Sequence, residues 1–211
     1  MREIARGAQF KTFEDGDRVR KIPLSPAESE EVVRSWHYPY ETPAEELATD
    51  YIGRARISCR GIERILTENP TLAPHLCNPI FEPNGGYNQD RVTTLQDKLV
   101  DATDAEAGRL VEDYIGQILF FWGYGFSEMT FNPLSNNGID ANGKVVLIDL
   151  GELYFDKEDV RRIVLGRSWR KSWTYRSGLR QPLKERYSSG MQRLTEATLD
   201  EVWKSEVAKK P

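Results

Sequence analysis

The sequence predicts an α+β fold, with a small antiparallel sheet and helix ahead of a mostly helical second half. Three observations carry that reading. Two tight-turn pairs, Asp15-Gly16 and Asn142-Gly143, are each flanked by strand-forming residues; such pairs supply the positive φ that a hairpin needs. A long run from Asp104 to Trp122 repeats apolar residues at helical spacing. Capping signals precede the helical stretches at Thr42, Thr103 and Thr198.

Residues 8–13 and 18–24 form the first predicted hairpin, turning at Asp15-Gly16. Residues 25–41 are rich in Pro, Ser, Glu and aromatic residues and read as a loop or a short irregular helix. Thr42-Pro43-Ala44-Glu45 then starts a helix: Thr42 caps, Pro43 suits the first helical position and Glu45 completes a capping box. That helix runs to about Leu66 with a break near Gly61. Gly85-Gly86 turns between two strands, one near His75–Phe81 and one near Arg91–Val100.

From Thr103 a second capped helix carries a broad apolar face through Leu110, Tyr114, Ile118 and Trp122, and ends at Gly123 or Gly125. The strand Lys144–Asp149 follows the Asn142-Gly143 turn, residues 156–166 form a charged amphipathic helix, and Thr198-Leu199-Asp200-Glu201 caps a last helix containing Val202 and Trp203. The domain reading is an N-terminal lobe over residues 1–102 and a C-terminal helical lobe over 103–211.

Apolar residues make up 39% of the 211 residues and charged residues 29%, enough for a real core. The formal net charge of -4 argues against nucleic acid or anionic lipid as a partner of the surface as a whole. Cys59 and Cys77 form no CxxC pair and have no His cluster beside them, so zinc is not expected and reduced thiols are. No apolar run of about 18 residues exists to span a membrane, and Met1-Arg2-Glu3-Ile4 lacks the features of a signal peptide. The expectation is a soluble, cytoplasmic protein without a membrane partner.

The chemistry concentrates between Thr130 and Gly151. Asn137 lies at the start of one hairpin strand and Asp149 at the end of the other, so both reach one end of the ribbon. An amide oxygen beside a carboxylate suits a hard cation such as Mg²⁺, which shares its oxygen ligands with phosphate. Gly151 lets the chain turn sharply after Asp149. A nucleotide polyphosphate also calls for a cation; Lys21 on the N-terminal hairpin is a candidate, with Lys11 as a rival, and Glu46 is a carboxylate that could hold Lys21 in place.

These residues resemble the protein-kinase-like superfamily. Val146-Leu147-Ile148-Asp149-Leu150-Gly151 is similar to its strand and D-F-G motif, with Leu for Phe, and Asn137 stands twelve positions before Asp149. Arg18-Val19-Arg20-Lys21-Ile22-Pro23 resembles the strand bearing the ATP-contacting Lys, and the helix from Thr42 resembles αC, with Glu46 as the Lys partner because Glu45 is used at the cap. The resemblance implies a two-lobed kinase-like fold that binds ATP and Mg²⁺, with Lys21, Glu46 and Gly7 at the nucleotide and Asn137 and Asp149 at the metal. The sequence departs from that pattern at the catalytic loop. Asn132 stands where the family has its catalytic Asp, and an amide cannot take a proton from a hydroxyl at neutral pH. Glu128 is the nearby carboxylate that could substitute. Gly7 is the only glycine ahead of the first strand, so the glycine-rich loop is minimal.

Each residue has a plainer reading. Asp149 also suits a strand-ending turn, Asn137 a left-handed position before Gly138, and Lys21 and Glu46 a solvated surface. Residues 157–186 carry ten Lys or Arg against three Asp or Glu, with Trp169, Trp173 and Tyr175 between them. That mixture suits phosphate or base contact, or else aromatic core anchors beneath a wet basic face. Trp36, His37 and Tyr38 read as packing residues. The functional reading is an ATP-binding, Mg-dependent kinase-like protein acting on an unknown acceptor. The alternatives are a pseudokinase that serves as an interaction module, and a nucleic-acid or phosphoprotein binder working through residues 157–186.

Overall fold

A computed structural model of the chain describes residues 1–36 and 41–203; His37 and Tyr38 lie outside the described residues. The architecture is mixed α and β, with small antiparallel sheets and several helices. The chain divides into two compact units, Met1–Arg91 and Val92–Pro211.

The first unit opens with β1 (Arg2–Arg6), β2 (Phe10–Asp15) and β3 (Arg18–Pro23). All five residues of β1 are exposed, so no in–out alternation marks this edge strand in the sequence. Gly7 sits in the turn between β1 and β2, where its N–H donates to the Phe10 carbonyl at 3.0 Å. Gly16, at φ 66°, makes the predicted β2–β3 turn.

Helix α1 (Pro26–Ser35) is regular, where the sequence suggested a loop or a short irregular helix. Its capping box explains why: Ser25 Oγ accepts from Glu28 N, the Glu28 carboxylate accepts from Ser25 N at 3.0 Å, and Pro26 fits the first turn. Helix α2 (Ala44–Glu68) passes Gly61 without a break and buries Ala48, Ala55, Cys59, Ile62 and Ile65 along one face. The expected Thr42 cap does not form. Pro43 itself occupies the cap position, at φ -55° and ψ 144°, and has no side-chain oxygen to offer.

The 3-10 helix Pro70–Leu76 takes the start of the strand expected near His75–Phe81, and Cys77 and Asn78, both left-handed, turn the chain into β4 (Ile80–Phe81), its only extended part. β5 (Tyr87–Asp90) completes a five-stranded sheet in the order β1-β2-β3-β5-β4. Gly86 passes so close to β3 that a Cβ there would stand 2.6 Å from the Lys21 carbonyl oxygen.

In the second unit, β6 (Thr93–Thr94) leads into α3 (Leu95–Asp101). Most of the strand expected at Arg91–Val100 is therefore helical, because Thr94 Oγ1 accepts from Asp97 N at 3.1 Å and caps the turn. β6 pairs with β8 inside this unit. Helix α4 (Asp104–Trp122) starts at Thr103, whose hydroxyl accepts from Glu106 N at 3.2 Å, and stops at Gly123.

Then follow β7 (Ser127–Glu128), the single turn α5 (Pro133–Asn136), β8 (Asn137–Ile139), β9 (Val145–Leu147) and β10 (Leu153–Tyr154). β6, β8 and β9 form one sheet, and β7 pairs with β10. The chain ends in α6 (Lys157–Leu165), a 3-10 turn Ser168–Lys171, a π-helical turn Thr174–Gly178, α7 (Gln181–Gln192) and α8 (Glu196–Val202). α8 is capped by Thr195 and not by Thr198, which lies one turn inside, and Trp203 ends the helix instead of sitting within it. The core of this unit gathers on the apolar face of α4, where Tyr114 stacks on Tyr187 of α7 at 6.2 Å. Among the described residues no helix is long and apolar enough to cross a membrane.

Candidate functional site

The segment from Glu128 to Gly151 folds into a tight corner of the second unit. Pro133 opens α5, and the helix lasts one turn before Asn137 enters β8. Gly138 is required there, since a Cβ would lie 2.8 Å from the Thr93 carbonyl oxygen and 2.5 Å from Val92 Cγ2. The chain returns through Gly143, at φ 79°, into β9, with Asn137 opposite Leu147. Beyond β9 the amides of Ile148 and Asp149 both donate to the Asn136 carbonyl, at 2.8 and 3.1 Å. Asn136, Asn137 and Asp149 thus meet at one end of one ribbon. Asp149 Oδ1 accepts from Gly151 N at 3.1 Å, which shapes the turn away from the strand.

Glu128 lies inside this corner and is 2% exposed. Its Oε1 accepts from Asn137 Nδ2 at 2.9 Å and its Oε2 from Asn136 Nδ2 at 3.5 Å; the latter amide also donates to Thr130 Oγ1 at 3.2 Å. Burial pushes the Glu128 carboxyl up to about 7. The Asn137 and Asn136 amides oppose that shift by stabilising the carboxylate, while the nearby charge of Asp149 adds to it. Burial likewise raises the Tyr114 and Tyr187 phenols well above their ordinary range, with the Glu128 charge next in importance for both. Asn137 Oδ1 is buried and has no hydrogen-bond partner among the described residues, an arrangement that costs about 1–3 kcal/mol when nothing fills it.

Asn132 serves the loop itself. Its Oδ1 accepts from both the amide and the hydroxyl of Thr174, and its Nδ2 donates to Ser135 Oγ at 2.7 Å. Thr174 Oγ1 in turn accepts from Leu134 N at 3.3 Å. Phe131 beside it is left-handed at φ 46°, and its carbonyl accepts from Tyr187 Oη at 2.7 Å. Both ends of the Asn132 amide are engaged, and Glu128 is closed off from solvent.

In the first unit, Lys21 lies on β3 opposite Thr12 and Tyr87, with its ammonium 5.5 Å from the Tyr87 ring centroid. Glu46 is exposed on the first turn of α2, and Gly7 is exposed in the β1–β2 turn. Lys11 pairs with Glu28 of α1. That contact, with the Ser25 backbone and hydroxyl as further donors, holds the Glu28 carboxyl down at about 2. The sequence signal for it was the Ser25-x-x-Glu28 capping box.

Trp36 packs edge-on against Tyr51 at 5.8 Å. The basic segment divides between its two readings: Trp169 is a core anchor at 2% exposed, whereas Trp173 stands 46% exposed.

Among the described residues no group of three or more His, Cys, Asp or Glu is placed to hold a metal. The oxygen donors that suit a hard cation are the amide Oδ1 of Asn137, buried without a partner, and the half-buried carboxylate of Asp149.

No family model matches the chain, and no curated protein matches it. Among solved structures, the bifunctional kinase-methyltransferase WbdD matches at 13% identity over 96% of this chain and 45% of that one, with a TM-score of 0.44. A co-crystal structure of WbdD with the kinase inhibitor LY294002 matches at 14% identity over 95% of this chain and 47% of that one, with a TM-score of 0.46. The chain spans less than half the length of these structures.

Proposed function

We propose that this chain is a kinase-like protein that binds ATP with Mg²⁺. The observation that carries the reading is the meeting of Asn137 and Asp149 at one ribbon end, where a buried amide oxygen has no partner. Those two oxygens would hold the ion, and the bound ion would neutralise charge on the nucleotide phosphates. Lys21 is the proposed phosphate cation, with Glu46 as its carboxylate partner and Gly7 in the turn over the phosphates. If the chain transfers a phosphoryl group, the acceptor is unknown.

A second reading is favoured by the state of the two base candidates: the chain keeps the nucleotide and performs no transfer, as a pseudokinase that works through a protein partner. The Asn132 amide is spent on Thr174 and Ser135, and Glu128 is 2% exposed. A base must lie within hydrogen-bond reach of the hydroxyl it deprotonates, and neither group offers that access.

Thermal denaturation with Mg-ATP tests the binding reading. A rise in Tm is expected for the wild-type chain, with no rise in Asp149→Ala or in the presence of EDTA. No rise in the wild type, or an equal rise in Asp149→Ala, overturns it. Transfer from γ-labelled ATP then separates the two readings, since activity lost in Asp149→Ala supports the kinase and an absence of activity supports the pseudokinase.

A further inference from the structure

Residues 167–186 contain seven Lys or Arg and a single acid, Glu185, in a chain whose net charge is -4. Several other cations of the second unit are matched. Arg161 pairs with Glu158, Glu196 and Asp200, Arg162 with Asp159, Arg180 with Asp104 and Arg193 with Glu112. Arg167, Arg170 and Lys171 are exposed, and no carboxylate pairs with them among the described residues. The charge of the whole surface does not describe this turn.

The turn is also firmly built. Trp169, buried beneath it, takes the Tyr175 ring edge-on at 5.0 Å and carries the Arg170 guanidinium 5.1 Å from its ring centroid. Arg167 is left-handed at φ 47°, a conformation that costs a side-chain-bearing residue about 1 kcal/mol and persists where the surroundings enforce it. Ser172 Oγ donates to the Trp169 carbonyl at 2.7 Å and accepts from Tyr175 N at 3.3 Å. Between these anchors Trp173 is left 46% exposed. Its ring rests on Gly178, where a Cβ would come within 3.0 Å of Cζ3. The π-helical turn Thr174–Gly178 that brings Gly178 under the ring is a rare geometry, frequent at functional sites.

We propose that this turn binds single-stranded nucleic acid, with Trp173 stacking on a base and Arg167, Arg170 and Lys171 contacting phosphates. A supported, exposed indole among unmatched cations suits a strand whose bases are open to stacking. A duplex hides its base faces, and a phosphopeptide needs the cations without the ring. This inference uses none of the residues assigned to ATP or Mg²⁺ and does not depend on that assignment.

The test is fluorescence anisotropy of labelled oligo-U and oligo-dT of about 12 nucleotides with the full chain; duplex DNA, heparin and a phosphopeptide serve as competitors. Three phosphate contacts predict a slope of about -2 for log affinity against log salt. The combined Arg167→Ala, Arg170→Ala, Lys171→Ala variant and Trp173→Ala are each expected to weaken binding about tenfold or more. Trp173→Phe, which keeps an aromatic face, and Arg162→Ala, which removes a matched cation, should stay near the wild type. Unchanged affinity in the triple variant overturns the proposal, and its exposed positions leave the core intact. Competition by heparin with no effect of Trp173→Ala would mark a general polyanion surface, and tighter binding of the phosphopeptide a protein partner; each overturns it too.

Discussion

The Asn137 side-chain amide donates 2.9 Å to Glu128 Oε1, and neither residue is more than 2% exposed. A carboxylate thus sits in the protein interior on the neutral side-chain amides of Asn136 and Asn137. Burial costs an ionised group more than amide hydrogen bonds return, so the proton is held up to about pH 7.

Stability should follow that proton. Glu128 titrates at about 7 when folded, against an ordinary 4.5, so between those values the folded state binds a proton that the unfolded state releases. Stability therefore falls as pH rises through this window, by an amount on the order of 3 kcal/mol. Glu128→Gln should remove the fall: melting curves at about pH 5 and about pH 8 should differ by less for the variant than for the wild type. Parallel pH dependence in the two proteins would show that Glu128 does not titrate in the window.

Asn132→Ala should cost about 1–3 kcal/mol, because it strands the amide and hydroxyl of Thr174, a fully buried residue. Thr174→Val should cost a similar amount, and the double variant less than the sum. Urea denaturation of the four proteins measures this coupling. Simple additivity would mean that the two residues act separately.

Gly138→Ala should destabilise by about 1–3 kcal/mol, since the new methyl meets backbone, which cannot swing aside as a side chain can. Gly7→Ala meets nothing within 4 Å and should fall within about 0.5 kcal/mol of the wild type. Chemical denaturation of the pair distinguishes a close-packed glycine from a merely local one.

In the first unit, Lys11→Gln should raise the Glu28 pKa from about 2 more than Ser25→Ala does, because the Lys11 contact is its largest cause. The sign is the reverse of that at Glu128. A lowered carboxyl stabilises above its ordinary value of 4.5 and loses that contribution as pH falls towards 2. Ser25→Ala should itself cost about 1 kcal/mol as a lost cap. Carboxyl NMR titration of each variant reads the ordering; a larger rise in Ser25→Ala would reverse it.

What was legible in the sequence was local. Asp15-Gly16 and Asn142-Gly143 marked their turns because positive φ leaves few residue choices, and the stripe of α4 showed because one face meets a core. The Leu95–Asp101 helix was obscured because Thr93 and Thr94 look like strand residues until Thr94 is seen to cap. Ser25-x-x-Glu28 was readable and was masked by the Pro- and aromatic-rich composition that follows it. The Glu128 cluster could not be read, since its partners lie eight and nine residues away in sequence and burial, not spacing, gives it its character. The Asn132–Thr174 link spans 42 residues and is a product of tertiary folding alone.

The Asn136 carbonyl, shared by the amides of Ile148 and Asp149, has a kinetic consequence. Both protons are tied to one acceptor at the end of the ribbon, so freeing the pair requires that end to part from Asn136. In deuterated water these two amides should be among the last of the second unit to exchange, at a rate set by its cooperative opening rather than by local breathing.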